Sequence, residues 1–596
     1  MKRLVILLAC LMTIALGADA SKAVSTPFAH TQPDGTTLMV RLMGDEHLSW
    51  YQTMDGVLLE CVDKDFFVAK VEADGTLSST GTLAHNLDSR SADEQTLCLS
   101  QDKELFFSDQ TASAKARRKA ISGYPSSTYC PHAGTIHIPV ILMQYPDKPF
   151  VLTNDDFETY FHGTDRQPYS SETRFLGYSS VHEYFKDASF GQFDVQFDVY
   201  GPYTTAQKHD YYGNSSNSSG SRMMTEAIKA ADGDIDFSQY DSNNDGYVDL
   251  TYIFYSGCGA NIGGDNSNIW PKCSYAQNIS TQDSKKIRVI GLSNELVVEN
   301  YTQADGTVVP LRAGIGVFCH ELSHGLGLPD LYHDFKDSSK QNNCGPEMWD
   351  LMDGGENLFN GMWPTHYAAW ERDIMGWMDL DVLSEPQDVT VYPLNDSEGR
   401  GKAYRINNPE DTKEYYVVEN ILADEWHSYL KARMGTGLII THVNDISTKG
   451  MTPNATYGHP NLTILPADDL ILSYYLVGDS VEYKDSVQEI TSAMYYEDLK
   501  GDPYPGPNNV TSLSMYKNYS GSADMMEQYP ITDITANDDG SISFKFMGGG
   551  KSTGITAVNV QNSDNKIYTP DGRCLGTDSS ALSHGIYIRG GKKFVK

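Results

Sequence analysis

Apolar and polar residues alternate in short runs over residues 24–114. The clearest runs lie at 37–43 and 66–71, and Asp-Gly pairs punctuate the region at 34–35, 55–56 and 74–75. Alternation with a period of two is typical of half-buried strands, and Asp-Gly favours the tight turns of β-hairpins. Residues 24–114 are therefore predicted to form a small antiparallel β unit.

The pattern changes between residues 134 and 380, where short apolar runs alternate with segments of helical period. Strands are predicted at 136–143 and 248–254, and helices at 181–185, 223–231 and 314–326. Strands that alternate with helices along the chain indicate a mixed α/β domain.

Period-two patterning returns over residues 386–548 and predicts a β-sandwich, with strands at 388–392, 414–419, 437–442 and 541–546. Three glycines at 548–550 then precede a short tail with strand-like runs. The predicted fold class is multidomain α+β. Its predicted segments are 1–20 (a targeting segment), 21–125 (the β unit with a basic linker at 115–119), 126–385 (mixed α/β), 386–548 (β-sandwich) and 549–596 (linker and short β tail, a candidate sorting or anchoring segment).

The first twenty residues have the features of a secretory signal peptide. Lys2 and Arg3 precede an apolar run at 4–16, and Ala18-Asp19-Ala20 resembles a small-x-small cleavage site before Ser21. The run is too short to span a bilayer, and no other stretch approaches 18 apolar residues. The protein is therefore expected to be secreted or displayed at the cell surface, without a transmembrane segment.

The net charge and the cysteines bear on the possible partners of the protein and on its disulfides. Lys plus Arg number 45 and Asp plus Glu number 79, a net charge of −34, which argues against a nucleic-acid partner. Eight cysteines remain after the signal peptide, and export permits disulfides. The pairs closest in sequence are Cys258 with Cys273 and Cys319 with Cys344, but the sequence leaves both the pairing and the alternative of eight thiols open.

One motif carries the candidate chemistry, His-Glu-Leu-Ser-His at 320–324. His320 and His324 lie one helical turn apart, so both imidazoles project from one face and can bind one tetrahedral zinc ion. Glu321 is placed to act on a metal-bound water as a general base. The motif predicts a zinc-dependent peptidase.

The third zinc ligand is predicted to be Asp330. Gly327 and Pro329 end the helix and turn the chain, which brings Asp330 back towards the two histidines. Glu347 and Glu371 from later segments are the alternatives. Met352, in the Gly-terminated turn that follows, is either an apolar floor beneath the histidines or an ordinary core residue.

A second metal site is suggested by the Asx-rich segment at 241–249. Asp241, Asn243, Asp245, the carbonyl of Tyr247 and Asp249 match the oxygen donors of a calcium loop. The twelfth position is Tyr252 rather than Glu, and a strand follows, so the segment is not an EF-hand. The alternative is an Asx-rich turn that leads into a strand.

Taken together, and in the order in which they follow along the chain, these motifs resemble those of the immune inhibitor A-type metallopeptidases, a secreted bacterial family related to the metzincins. The similar segments are the strand at 134–147, the helix at 184–193, residues 199–202, the zinc signature at 320–330, the turn at 349–352 and the strands at 414–420 and 437–443. The loop at 269–272 lacks an expected histidine. The resemblance implies a metzincin-like zinc peptidase domain, protein or peptide substrates, and a propeptide at the N-terminus.

Two further expectations concern regulation and the alternative function. A β unit ahead of a basic linker suggests a zymogen, whose zinc Cys61, Cys98 or an aspartate could cap. The alternative class is a catalytically inactive surface or glycan-binding protein that uses the β-sandwich, although the intact motif at 320–324 speaks against it. The sequence does not indicate an oligomeric state.

Overall fold

A computed structural model describes most of the chain. The described residues are 18–19, 21–45, 48–108, 130–170, 173, 176–213, 220–263, 267–275, 278–303, 306–333, 344–444, 446, 453–454, 460–484, 486–513, 528–550, 566–569, 574–577, 579–580, 582–583, 586–589 and 592–596. They form two compact units, residues 1–549 and 550–596. No helix among these residues has both the length and the apolar character needed to cross a bilayer. The basic linker at 115–119 lies outside the described residues.

The N-terminal region forms the antiparallel sheet that its alternation predicts. A two-residue strand, β1 (Ala18–Asp19), comes first. Six strands then pair in chain order, β2 (Phe28–Thr31), β3 (Thr37–Gly44), β4 (Ser49–Thr53), β5 (Leu58–Val62), β6 (Asp65–Val71) and β7 (Leu77–Leu83), and helix α1 (Ala92–Leu99) follows. Their inward side chains form one core that includes Cys98 and contacts Cys61.

The middle of the chain is built on a sheet whose central strands are parallel. The strands are β8 (Gly134–Gln144), β9 (Phe193–Thr204), β11 (Thr251–Cys258), β12 (Lys272–Ser274), β15 (Ile290–Thr302) and β16 (Val308–Arg312). The hydrogen-bonded order is β1-β12-β15-β11-β8-β9, with β16 also on β15. Strands β8, β9, β11 and β15 pair in parallel, and β12, β1 and β16 run antiparallel to their neighbours.

Helices cover both faces of this sheet, which explains its continuous apolar strands. They are α2 (Asn154–His162), α3 (Val181–Ala188), α4 (His209–Gly213), α5 (Ser221–Ala231) and α6 (Gly316–Leu326). Val140 and Leu142 of β8 share a core with α6, whereas Ile141 and Met143 share a second core with α5. Because successive side chains of a strand point to opposite faces, one strand contributes to both cores.

One strand prediction is wrong in detail, because the run at 248–254 divides into two strands. Its start lies in β10 (Tyr247–Val248), which pairs with β14 (Lys286–Ile287) in a small sheet that also contains β13 (Ile279–Ser280). The remainder lies in β11. The backbone N–H of Asp249 donates to the carbonyl of Tyr240, and its carboxylate accepts the N–H of Ser242, so this residue is fixed by the preceding loop and interrupts the strand.

The region after residue 380 contains two sheets that share one apolar core. A five-stranded sheet has the order β17 (Asp381–Val382), β19 (Tyr404–Asn407), β20 (Glu414–Ile421), β21 (Gly437–Asn444) and β22 (Leu462–Ile464). A three-stranded sheet has the order β18 (Gln387–Val391), β26 (Ile542–Phe546) and β25 (Ile531–Ala536). The remaining elements are α7 (Ala369–Met375), α8 (Leu430–Arg433), the hairpin β23 (Ser480–Tyr483) and β24 (Ser486–Glu489), and α9 (Ser492–Leu499).

The second unit, residues 550–596, contains a four-stranded antiparallel sheet. Its order is β28 (Cys574–Gly576), β27 (Ile567–Tyr568), β29 (Ile586–Arg589) and β30 (Lys592–Val595). The chain is therefore a multidomain, mixed α/β protein, as its patterns predict. No disulfide links cysteines among the described residues.

Candidate active site

Helix α6 carries the two histidines and ends at the predicted glycine. Gly316 lies against the backbone of Glu356, where a Cβ would come within 2.0 Å of the carbonyl oxygen. At the other end Gly327 has φ +110°, which favours glycine, and its N–H donates to the carbonyls of Ser323 and His324. The chain is thus turned back after His324 by local backbone chemistry.

That turn brings three donor atoms together. The Nε2 atoms of His320 and His324 lie 3.1 Å apart, and Oδ1 of Asp330 lies 3.3 Å from the first and 3.2 Å from the second. All three side chains are fully buried. Hydrogen bonds join Nδ1 of His320 to the carbonyl of Leu351 at 3.0 Å and Nδ1 of His324 to that of Leu328 at 2.8 Å.

This arrangement fits a divalent cation. A carbonyl can only accept, so each Nδ1 carries the proton, and in the neutral ring each Nε2 presents a lone pair. Two imidazole lone pairs and a carboxylate oxygen then converge, with a cation needed between them. Tetrahedral ligands at roughly 2.0–2.1 Å from zinc are about 3.3–3.4 Å from one another, close to the separations observed. His320, His324 and Asp330 could therefore hold zinc.

Glu321 lies beside this group and is also fully buried. Its burial raises the pKa of the carboxyl to about 8, although the imidazoles of His320 and His324 oppose the shift. Its Oε1 accepts a hydrogen bond from the backbone N–H of Ser21 at 2.7 Å. The carboxylate is thus within reach of an amide nitrogen at the site.

Sequence reasoning missed a further carboxylate at the site, Glu356. Its Oε2 lies 3.6 Å from Nδ1 of His320, and burial raises its pKa to about 7. With Glu321 and Asp330 it makes three buried carboxyl groups around two imidazoles, and a cation bound there would favour their charged forms. The sequence feature that could have indicated it is its position four residues after Met352, in the Gly-rich turn at 353–356.

The two alternative third ligands have other partners. Oε2 of Glu347 accepts from the backbone N–H of Tyr474 and the hydroxyl of Tyr495, both at 3.0 Å. Oε2 of Glu371 accepts from the N–H of Ala368 at 2.7 Å and so caps α7. Neither is grouped with the two histidines, since the His320 cluster among the described residues contains only Asp330 as its carboxylate.

Met352 belongs to the turn that supports the site. The backbone carbonyl of Met352 accepts from the N–H of Leu331 at 2.8 Å, and the preceding residue, Leu351, accepts from His320. The side chain of Met352 is fully buried in the core that also contains Leu322. The turn therefore fixes both the chain after Asp330 and the ring of His320.

The predicted calcium loop is closed by its own hydrogen bonds. Asp241 accepts from the backbone N–H groups of Asp245 and Gly246 at 3.0 Å each, and Asn243 and Asp245 accept from N–H groups two residues on. The ammonium of Lys285 lies 2.6 Å from Asp241. Burial raises the pKa of Asp249 to about 6. These hydrogen bonds are typical of an Asx-rich turn, and the ammonium of Lys285 pairs with one of its carboxylates.

The sequence comparisons relate the segment that carries this site to metallopeptidases. Residues 137–378 match the family model described as the immune inhibitor A peptidase M6 catalytic domain. The resemblance to immune inhibitor A-type metallopeptidases, expected from the motifs, is thereby confirmed over this segment.

Individual relatives agree with this assignment at low identity. The chain is 25% identical over 308 residues to the pre-pro-metalloprotease PrtV of Vibrio cholerae serotype O1 (strains M66-2 and ATCC 39315 / El Tor Inaba N16961), which covers 43% of this chain and 33% of the relative. It is 26% identical over 276 residues to immune inhibitor A of Bacillus thuringiensis subsp. alesti, covering 39% and 38%. The chain thus spans between a third and two fifths of the length of these relatives.

Proposed function

We propose that the protein is a secreted zinc-dependent endopeptidase that hydrolyses peptide bonds of proteins. The observation that carries this proposal is the convergence of His320, His324 and Asp330, with their Nε2 and Oδ1 atoms 3.1–3.3 Å apart, beside the buried Glu321. The metalloprotease names of the relatives support the same reaction.

The chain's own residues supply positioning and proton transfer. His320, His324 and Asp330 would hold zinc, which when bound supplies a Lewis acid that acidifies water and polarises the scissile carbonyl. Glu321 accepts the proton of the attacking water and returns it to the leaving amine, a contribution of about 10²–10⁴-fold. The hydrogen bond from the N–H of Ser21 to Glu321 supports this role, because it places a nitrogen 2.7 Å from the carboxylate.

Metal removal tests this function. We expect casein hydrolysis by the secreted protein to be lost with a strong chelator and restored by stoichiometric zinc. The reason is that the proposed reaction needs the metal as a Lewis acid, and the three side chains cannot replace it. Casein zymography with and without chelator is the measurement, and an inhibitor of serine peptidases is the control that should leave the band intact. No band in any lane would favour the alternative, a catalytically inactive surface or glycan-binding protein that uses the β-sandwich.

Export and latency belong to the same proposal. The signal peptide expected at 1–20 would direct the chain out of the cell, and "pre-pro" in the name of the Vibrio relative supports both a signal peptide and a propeptide. In the structure Cys61 and Cys98 belong to the N-terminal sheet's own core, whereas Ser21 contacts Glu321. Latency would therefore depend on the N-terminal segment. N-terminal sequencing of the active enzyme tests whether cleavage occurs near 117–119.

Calcium binding at 241–249 stays a prediction, and its test is thermal. If Asp241, Asn243, Asp245, Tyr247 and Asp249 bind calcium, a hundredfold excess over Kd stabilises the fold by about 2.7 kcal/mol and raises Tm by several degrees. Asp245→Asn should remove this rise. A Tm that calcium leaves unchanged would favour the alternative, an Asx-rich turn that leads into a strand.

A further inference from the structure

The chain's own N-terminal segment lies in the active site. The backbone N–H of Ser21 donates to Oε1 of Glu321 at 2.7 Å, and the carbonyl of Ser21 accepts from the indole of Trp270 at 2.8 Å. Ser21 is therefore held between the carboxylate of Glu321 and the indole of Trp270.

This placement is that of a peptide substrate. A general base that returns a proton to the leaving amine must contact the nitrogen on the leaving-group side of the cleaved bond. Ser21 supplies the nitrogen at that position, so Ser21 and Lys22 occupy the leaving-group side.

Lys22 enters a buried acidic pocket. Its Nζ lies 3.1 Å from Oδ1 of Asp353 and 4.1 Å from the ring centre of Tyr475, and the two charged side chains are 2% and 0% exposed. The carboxylates of Asp353 and Glu347 both favour the charged form of the lysine. Burying an ammonium is costly unless it is paired, so the pocket is specific for a cation.

The acidic side of the pocket is built by the peptidase domain and does not depend on the segment that fills it. Oδ2 of Asp353 accepts from the backbone N–H of Glu347 at 2.8 Å, and Asp353 directly follows Met352 in the turn that supports His320. When the N-terminal segment leaves, this buried carboxylate would lose the ammonium of Lys22. A basic side chain of an incoming peptide can replace that ammonium.

We propose that the pocket around Asp353 is a specificity subsite that binds a lysine or arginine side chain in the first two positions on the leaving-group side of the scissile bond. The contact of Ser21 with Glu321 favours the second of these positions. The inference rests on the proposed peptidase function and names the substrate feature that the site recognises.

Cleavage-site profiling tests the subsite. The secreted enzyme, in the form that hydrolyses casein, is incubated with a peptide library from a proteome, and the cut sites are identified by mass spectrometry. We expect Lys and Arg to be enriched several-fold in the first two positions after the cut, and Asp353→Asn to abolish that enrichment. Asp479→Asn is the matched control, because its carboxylate pairs with Arg41 instead and the enrichment should persist.

A second measurement uses only the wild-type enzyme, so it decides the matter even if Asp353→Asn does not fold. The tetrapeptide Ser-Lys-Ala-Val, which is residues 21–24, is compared with Ser-Glu-Ala-Val as an inhibitor of casein hydrolysis. The lysine peptide should inhibit at least about tenfold more strongly, because the other peptide places a carboxylate against Asp353. Equal inhibition, or cleavage without basic enrichment at those positions, overturns the subsite. Absence of any casein hydrolysis would instead overturn the peptidase function.

Discussion

Glu321→Gln is expected to abolish peptide hydrolysis while zinc remains bound. The glutamine keeps the size and the hydrogen-bonding carbonyl of the original side chain, but it cannot accept a proton from water. His320, His324 and Asp330 are unchanged, so the metal-binding group should persist. We expect kcat/KM to fall by at least about 10²–10⁴-fold. A fluorogenic peptide assay gives the rate, and elemental analysis of the dialysed protein gives the zinc content.

A matched substitution serves as the control, because it shows whether replacing any glutamate by glutamine lowers activity. Glu158 on α2 has an exposed side chain, so Glu158→Gln should hydrolyse the peptide at the wild-type rate. Near-wild-type activity in Glu321→Gln would end the proposed mechanism. Loss of zinc together with activity would place Glu321 among the metal ligands instead.

Asp330→Ala is expected to remove both zinc and activity. Only two imidazoles would then remain, and changes in residues that merely support metal ligands already cost about 10–100-fold in affinity or activity. We expect the dialysed variant to hold no stoichiometric zinc and to show no rise in Tm when zinc is added, unlike the wild type. Zinc content and a zinc titration of Tm are the measurements.

Glu371→Gln separates Asp330 from its rival. The carboxylate of Glu371 caps α7 through the N–H of Ala368, so glutamine there should leave zinc binding intact. Zinc retained in Asp330→Ala but lost in Glu371→Gln would show that the third ligand comes from the later helix. Zinc lost only in Asp330→Ala supports the assignment made from the sequence.

The sequence was most informative where the chemistry is local. His320, Glu321, His324 and Asp330 lie within eleven consecutive residues, and one helical turn followed by a glycine-based bend is enough to bring them together. The strand at 136–143 and the helices at 181–185, 223–231 and 314–326 were predicted for the same reason, whereas β9, β15 and α2 were not predicted. The run at 248–254 was predicted as one strand, because its apolar pattern continues past Asp249 although loop contacts interrupt the strand there.

Contacts between segments that are distant in sequence could be determined only from the tertiary structure. Ser21 and Glu321 are 300 residues apart and Lys22 and Asp353 are 331 apart, and no spacing rule relates such pairs. The position of Glu356 beside His320 was likewise not predicted from the sequence, because a carboxylate in a Gly-rich turn is ordinarily exposed to solvent. The sequence alone predicted the two histidines and favoured Asp330 as the third donor, since the geometry of a helix and of the turn after it is local. Packing decided which charges surround that set and which segment of the chain enters the cleft.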